Sequence, residues 1–338
     1  MSTETKRTDA SRLERAKDVS EWTLSLSWPV MIQQVFETLM RTTDIIITGL
    51  FSPVAVAAIG LADLYAQIPM RLGQGLGGAA IALSSQDTGR QADASRDETI
   101  STALALGVVL GIPIALVAIV FGESLISFLG ASEDVVALGG TYFAIVLATA
   151  PARHVMLIGA RALQGTGYTR TPMYINIFAN VLNVSGSLAL GFGWWVFPQL
   201  RVVGVGIATA TANVVSALLF FAALAGPWTA ANLVRPRNPV IARQLIPVGI
   251  PRTAEGFAVA LARFPFNALL LTFGTGVNAG FQIGRRIFQQ ITAPLSRGYN
   301  VSGSVLVGQA LGRGEPGEAR FAGWGIAGLG VLTVGTVG

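Results

Sequence analysis

The sequence predicts an all-α protein, a polytopic membrane helix bundle of about nine transmembrane helices. They form two six-helix lobes in parallel repeat, with the second lobe truncated. Three observations predict it. The 338 residues are 52% hydrophobic and 12% charged, against about a quarter charged for an ordinary soluble domain. Apolar runs near or above the ~20 residues that cross a bilayer recur along the chain. One loop motif occurs twice, about 222 residues apart, the long-period self-match of a duplicated helix bundle. The 40 glycines and 15 prolines are compatible with helices in lipid, where small residues allow close packing and neighbours re-satisfy freed backbone groups. The absence of cysteine excludes a disulfide framework, a thiolate metal site and a thiol nucleophile. A pI near 10.1 does not imply nucleic acid, because the basic residues flank apolar segments instead of forming one patch.

Residues 1–21 are polar, with Lys6, Arg7, Arg12, Arg15 and Lys17 among acids, and are expected to form a short cytoplasmic helix on the inner membrane surface. Spans are expected at roughly 22–50, 54–85, 99–121, 135–161, 172–195, 203–226, 243–273, 279–309 and 319–338. The first apolar segment is too long for a cleavable signal peptide. Fourteen Lys and Arg lie in the tail and alternate loops, while the opposite loops hold only Arg201. The positive-inside rule therefore puts the N-terminus in the cytoplasm of a multi-pass plasma-membrane protein.

The repeat pairs SSQDTGRQADASR, 84–96, with VGQALGRGEPGEAR, 307–320, through Gln86/Gln309, Gly89/Gly312 and Arg90/Arg313; Pro29 pairs with Pro251. Six helices between the copies make the repeat parallel. The organisation is thus an N-lobe at 22–226, a Pro- and Arg-rich linker at 227–243, and three helices of a second lobe at 244–338.

The first helix, WPVMIQQVFETLMRTTDIIITG (28–49), carries Asp44 deep in its apolar run. An acid kept at bilayer depth costs a few kcal/mol unless it faces a protein-lined cavity, so it reads as a cation or proton site. By rise counting Asp44 and Thr209 each lie about 9 Å from the outer ends of their helices. Asn180, Asn183 and Ser187 fall at i, i+3 and i+7, one polar stripe on the fifth span. Oxygen ligands of these types suit a hard monovalent cation or a relayed proton. Two alternatives stay open: the stripe can simply hydrogen-bond between helices, and Asp44 can pair with Arg41 one turn away.

Glu37 and Glu255 lie near the midplane, one turn apart when counted from the paired prolines. With Gln34, they are the substrate-binding candidates for an organic cation in a central cleft. The competing account neutralises Glu37 by Arg41 and Glu255 by Arg252 within their own helices.

Taken together, Pro29 with Asp44 before ITGLFSPVAVAAIG, the connection ALQGTGYTRTPM (162–173), NVLNVSGS (180–187), VGVGIATATAN (203–213) and the repeated GQALGRGEPGEAR loop resemble the multidrug and toxic compound extrusion family. The resemblance covers the chain after residue 21. It implies a twelve-helix cation-coupled antiporter of two six-helix lobes around a cleft, of which this chain is the first lobe plus half of the second. In the family the matching cation positions are an acid on the first helix and Asn, Asn and Asp on the fifth. Here the last is Ser187, which leaves proton or sodium as the coupling ion, the sodium site being Asp44.

Other signals are weaker. GQGLGG at 73–78 matches a dinucleotide fingerprint, but no strand precedes it. It reads as a close helix contact. His154 is the only histidine, so a histidine metal cluster has no second member. No GxxxxGK[ST] loop occurs, which argues against ATP as driver. Arg285 and Arg286 find no role from sequence.

The expected function is export of amphipathic, cationic organic compounds by alternating access against an inward proton or sodium ion. No enzymatic step, cofactor, resident metal or nucleic acid is expected; the partners are small organic substrates and membrane lipids, and the protein is expected to be a monomer. The alternative is a flippase for lipid-linked saccharides, kept open by Arg41, Arg71, Arg263, Arg285, Arg286 and Arg297. Residues 1–338 by themselves are expected not to transport.

Overall fold

Apolar runs of this length in lipid can satisfy their backbone groups only as helices, and the computed structural model follows that constraint. It describes residues 3–337, with side chains from Glu14 onward apart from a few between 260 and 286 and Val337. The side chains of Lys6, Arg7, Arg12, Arg263 and Arg286 lie outside the described set.

Ten helices run in order: α1 Thr3–Phe51, α2 Pro53–Gly89, α3 Asp93–Phe128, α4 Glu133–Ala148, α5 Ala150–Gly165, α6 Arg170–Phe192, α7 Arg201–Ala225, α8 Pro239–Thr272, α9 Thr275–Gly312 and α10 Pro316–Val337. There is no strand among the described residues. Helices α2, α3, α6 and α7 are each long and apolar enough to cross a bilayer, and α4 with α5 makes a further span bent by 50°.

That bend falls inside the single span expected at 135–161. Pro151 has no N–H to donate and its ring crowds the preceding turn, so the helix breaks just before it. Thr149 closes the gap by donating its hydroxyl to the Val146 carbonyl at 2.7 Å. One correction concerns the N-terminus: α1 is continuous for 49 residues instead of starting with a separate surface helix. No glycine or proline interrupts 14–28, and Arg15 anchors the extension by pairing with Glu318 and lying 4.7 Å from the Phe321 ring centroid on α10.

Packing follows the small residues. The inner N-lobe core gathers Leu76, Ile100, Ile158, Leu163 and Phe220, and the outer core gathers Ile47, Ile59, Tyr142, Val146 and Val205. The linker after α7 is clipped to the start of α3: the Val234 and Arg237 amides donate to Ser101 Oγ and Glu98 Oε1 at 2.9 and 2.8 Å.

Helix α1 serves both lobes. Near its outer end the Phe51 ring lies 5.0 Å from that of Phe192 on α6, while further in Ser27 Oγ donates to Ser302 Oγ on α9 at 3.0 Å. The repeat-related helices α2 and α9 cross at their C-terminal ends through the duplicated motif itself. A methyl group on Gly89 would overlap the Gln309 backbone, and one on Gly312 would overlap that of Gln86. Ser85 Oγ adds a bond to the Ser304 carbonyl at 3.2 Å. The two copies of the motif therefore hold α2 and α9 together at this end of the bundle.

The turn that follows is also duplicated. Gln91 has φ +58° and Gly314, its counterpart in the repeat, has φ +77°. A left-handed conformation strains any residue with a Cβ by about 1 kcal/mol. Gln91→Gly is expected to raise unfolding stability by about that amount, read as an upward shift of the thermal midpoint in detergent.

Candidate functional site

Two turns in from the Phe51–Phe192 contact, the parallel helices α1 and α6 reach Asp44 and Asn183 at the same level. Asn183 Nδ2 donates to Thr209 Oγ1 on α7 at 2.9 Å, and that hydroxyl donates onward to the Val205 carbonyl at 3.0 Å. Because the threonine proton is already used, the hydroxyl can only accept from the asparagine. The amide is thereby oriented with Oδ1 turned away from Thr209.

Four polar atoms of the residues expected from the sequence are buried without a hydrogen-bond partner among the described residues: Asp44 Oδ1, Asn180 Nδ2, Asn183 Oδ1 and Ser187 Oγ. A buried polar group left unpaired costs about 1–3 kcal/mol. Three of the four are oxygens, the donors a hard cation takes. Of the five residues expected from the sequence, Asn183 and Thr209 are brought into direct contact by the bond between them.

The expected alternative for Asp44 is not realised. No arginine stands within salt-bridge distance of it among the described residues, and Arg41 is exposed. Among the described residues no three His, Asp or Glu side chains converge as a metal site.

Asp63 on α2 and Tyr142 on α4 were not singled out by sequence. Tyr142 is 5% exposed and lies within the electrostatic reach of Asp44, Asp63 and Arg153. The signal for Asp63 was present, since it is an acid inside the expected span 54–85 and obeys the same rule as Asp44. A tyrosine in an apolar helix carries no comparable signal.

The substrate candidates are arranged differently. Glu255 is exposed and paired with Arg252 at 2.6 Å, as the competing account anticipated. Glu37 does not pair with Arg41; it accepts from Gln33 at 3.2 Å. Gln34 Oε1 is buried without a partner among the described residues. His154 is buried, bonded through Nδ1 to the Ala150 carbonyl at 2.8 Å, and lines a cavity of about 50 Å³ between α2 and α5. Gly73 lies against its ring, which bears out the reading of GQGLGG as a close helix contact.

The Asn183 amide depends on Thr209 for its orientation. Thr209→Val removes the acceptor that orients it and is expected to weaken the cation site about 10-fold, read from the cation concentration that half-releases a bound substrate.

An all-helical, multi-pass membrane bundle that keeps a carboxylate, two asparagines and a serine buried on its first and fifth spans fits a transporter class of protein. The MatE family model matches residues 29–188. The chain is 30% identical over 325 residues to a probable multidrug resistance protein NorM of Rhodopseudomonas palustris, covering 92% of this chain and 66% of the relative. It is 31% identical over 330 residues to the probable NorM of Bradyrhizobium diazoefficiens, covering 92% and 68%. Its fold superposes on a MOP superfamily transporter from Pyrococcus furiosus with a TM-score of 0.84 at 23% identity, covering 92% of this chain and 69% of that one. The chain belongs to the multidrug and toxic compound extrusion (MATE) family, whose members are transporters and not enzymes. It spans about two thirds of the length of these relatives.

Proposed function

We propose that the protein is a multidrug efflux antiporter that exports amphipathic organic compounds in exchange for an inward proton or sodium ion held at Asp44. One observation carries the reading: the buried carboxylate, the two asparagines and Ser187 each hold a polar atom without a partner among the described residues, and Asn183 is bonded to Thr209. The NorM relatives, named as probable multidrug resistance proteins, supply the efflux part. A neutral or cation-bound Asp44 favours one lobe arrangement and the charged, unbound form favours another. Exchange follows because ion and substrate prefer different arrangements; equal preference would shift nothing. The protein works as a monomer in the plasma membrane, N-terminus inside, and needs no cofactor.

Substrate-driven ion flux in proteoliposomes of the full-length protein, with sodium and pH gradients imposed separately, is the test. One of the two gradients is expected to drive accumulation of substrate against its own gradient. Transport indifferent to both would overturn the proposal. Residues 1–338 alone are expected to give no uphill transport, since the cleft needs two lobes.

A flippase for lipid-linked saccharides is the second reading, favoured by arginines between the lobes. Rescue of a flippase-deficient strain without any drug-resistance phenotype would establish it in place of efflux.

A further inference from the structure

The connection between α6 and α7, residues 193–200, reads GWWVFPQL and turns its largest side chains outward. Trp194, Trp195, Val196 and Phe197 are 58%, 98%, 85% and 46% exposed. Four large apolar side chains in a row, two of them indoles, mark an interaction surface and not a water-facing turn. The backbone holds this tip in place. Gly193 and Trp194 both donate their amides to the Ala189 carbonyl, at 3.0 and 2.9 Å, and the Leu200 amide closes the loop on the Leu190 carbonyl at 2.8 Å. Gly193, at φ +74°, leaves no room for a Cβ beside Gln199. Trp195 takes φ +63°, a left-handed conformation that glycine adopts without strain, yet an indole occupies it.

The flanking helices set the level at which the loop lies. Helix α6 has 23 residues and α7 has 25, about 35 and 38 Å at the rise of an α-helix, whereas the hydrocarbon core of a bilayer is about 30 Å thick. The chain that joins two such spans therefore lies among the lipid headgroups. Ser84 of α2, one turn before the α2–α9 crossing, donates to the Ala162 carbonyl near the end of α5 at 3.5 Å, so α6 starts at the crossing end and the loop lies at the opposite one. The connections at the crossing, 90–92 and 313–315, read RQA and RGE and carry no aromatic residue. An indole has an apolar body and one N–H donor, the combination that concentrates tryptophan at membrane–water interfaces. The one charge in 193–201 is Arg201, which is exposed, and a guanidinium complements the phosphate of a phospholipid headgroup.

We propose that residues 194–197 are a membrane anchor, inserted into the phospholipid headgroup layer at the end of the first lobe opposite the α2–α9 crossing. The two indoles supply the hold. The anchor fixes the depth of the ends of α6 and α7, the helices that carry Asn183 and Thr209. It rests on the membrane bundle and not on the direction or coupling of transport.

Spin labelling of the full-length protein in vesicles of phosphatidylethanolamine and phosphatidylglycerol is the test. Residues 1–338 contain no cysteine, and the unsubstituted protein carried through the labelling reaction gives the background. A label at Val196→Cys is read by its collision rates with oxygen, which concentrates in the bilayer, and with a nickel chelate, which stays in water. Two reference labels bracket it: Asp93→Cys, exposed at the start of α3, and Val109→Cys, exposed within the apolar run of α3. Oxygen collisions are expected to exceed nickel collisions at Val196, at a depth between the two references. Trp194→Ser combined with Trp195→Ser is expected to shift the Val196 label toward the Asp93 value. Nickel access at Val196 equal to that at Asp93 overturns the anchor. A label shielded from both reagents also overturns it, because a further part of the chain or a second copy would then cover the loop. A label unmoved by the double serine substitution overturns the role of the indoles. The Val196→Cys label alone reads depth with both indoles in place, so a folding defect in the double variant does not decide the outcome.

Discussion

Asp44→Asn is expected to abolish uphill export by the full-length protein, lowering the accumulation ratio on the order of 100-fold, while substrate binding survives. The size follows from what the residue does. A coupling free energy of 1–3 kcal/mol changes one ligand's affinity 5- to 150-fold when the other binds. Removing the charge removes the difference between the loaded and empty first lobe. Asparagine keeps the shape and hydrogen-bonding capacity of the side chain, so the substitution isolates charge from packing. The Phe51–Phe192 contact and the Asn183–Thr209 bond do not depend on it, and the fold is expected to be unchanged. Ion-gradient-driven uptake into inverted vesicles is the readout. Export undiminished in the variant would place the coupling ion elsewhere, with Asp63 the first candidate.

The second large effect belongs to the crossing of α2 and α9. Gly89→Val and Gly312→Val place branched side chains where the Gln309 and Gln86 backbones already touch, and neither backbone can rotate aside as a side chain could. Overpacking of this kind typically costs 1–3 kcal/mol, here charged only to the closed arrangement. The population with the inner side closed is expected to fall about 10- to 100-fold relative to the open one. Because the sequence has no cysteine, spin labels can be attached cleanly through Asp93→Cys and Glu315→Cys, both at exposed positions near the crossing. The distance distribution between them is expected to move to longer values in the double valine variant. Gly60→Val, where nothing stands within 4 Å, is expected to leave it unchanged. An identical distribution in the double variant would mean that the repeat motif does not gate the inner side.

How far the sequence could be read depended on whether a feature was local. The spans were legible because their cause is a run of apolar residues, and the duplicated loop was legible because the same letters recur. What the duplication is for was not legible. That Gly89 meets Gln309 and Gly312 meets Gln86 is a property of two helices crossing, and no pattern within either copy encodes it. The bend at Thr149 was half visible in Pro151, which marks a break but not its angle. The burial of Asn180 and Asn183 was readable, because polar residues at helical spacing in an apolar background must face protein. Tyr142 was invisible for the converse reason: an aromatic residue in a membrane helix is ordinary until other helices bring charged side chains near it. Glu255 carried two readings from sequence, a substrate group or the partner of Arg252 three residues earlier, and the ion pair at 2.6 Å realises the second.

Equilibrium binding of a transported dye, measured against sodium concentration and against pH in wild type and in Asp44→Asn, tests the central claim most directly. By reciprocity, a cation that expels substrate must itself be bound less tightly when substrate is present. Wild-type affinity for the dye is expected to fall as one of the two cations rises, and the dependence is expected to vanish in Asp44→Asn. An equally steep cation dependence in the variant would contradict the account, because the ion would then be acting through some other group.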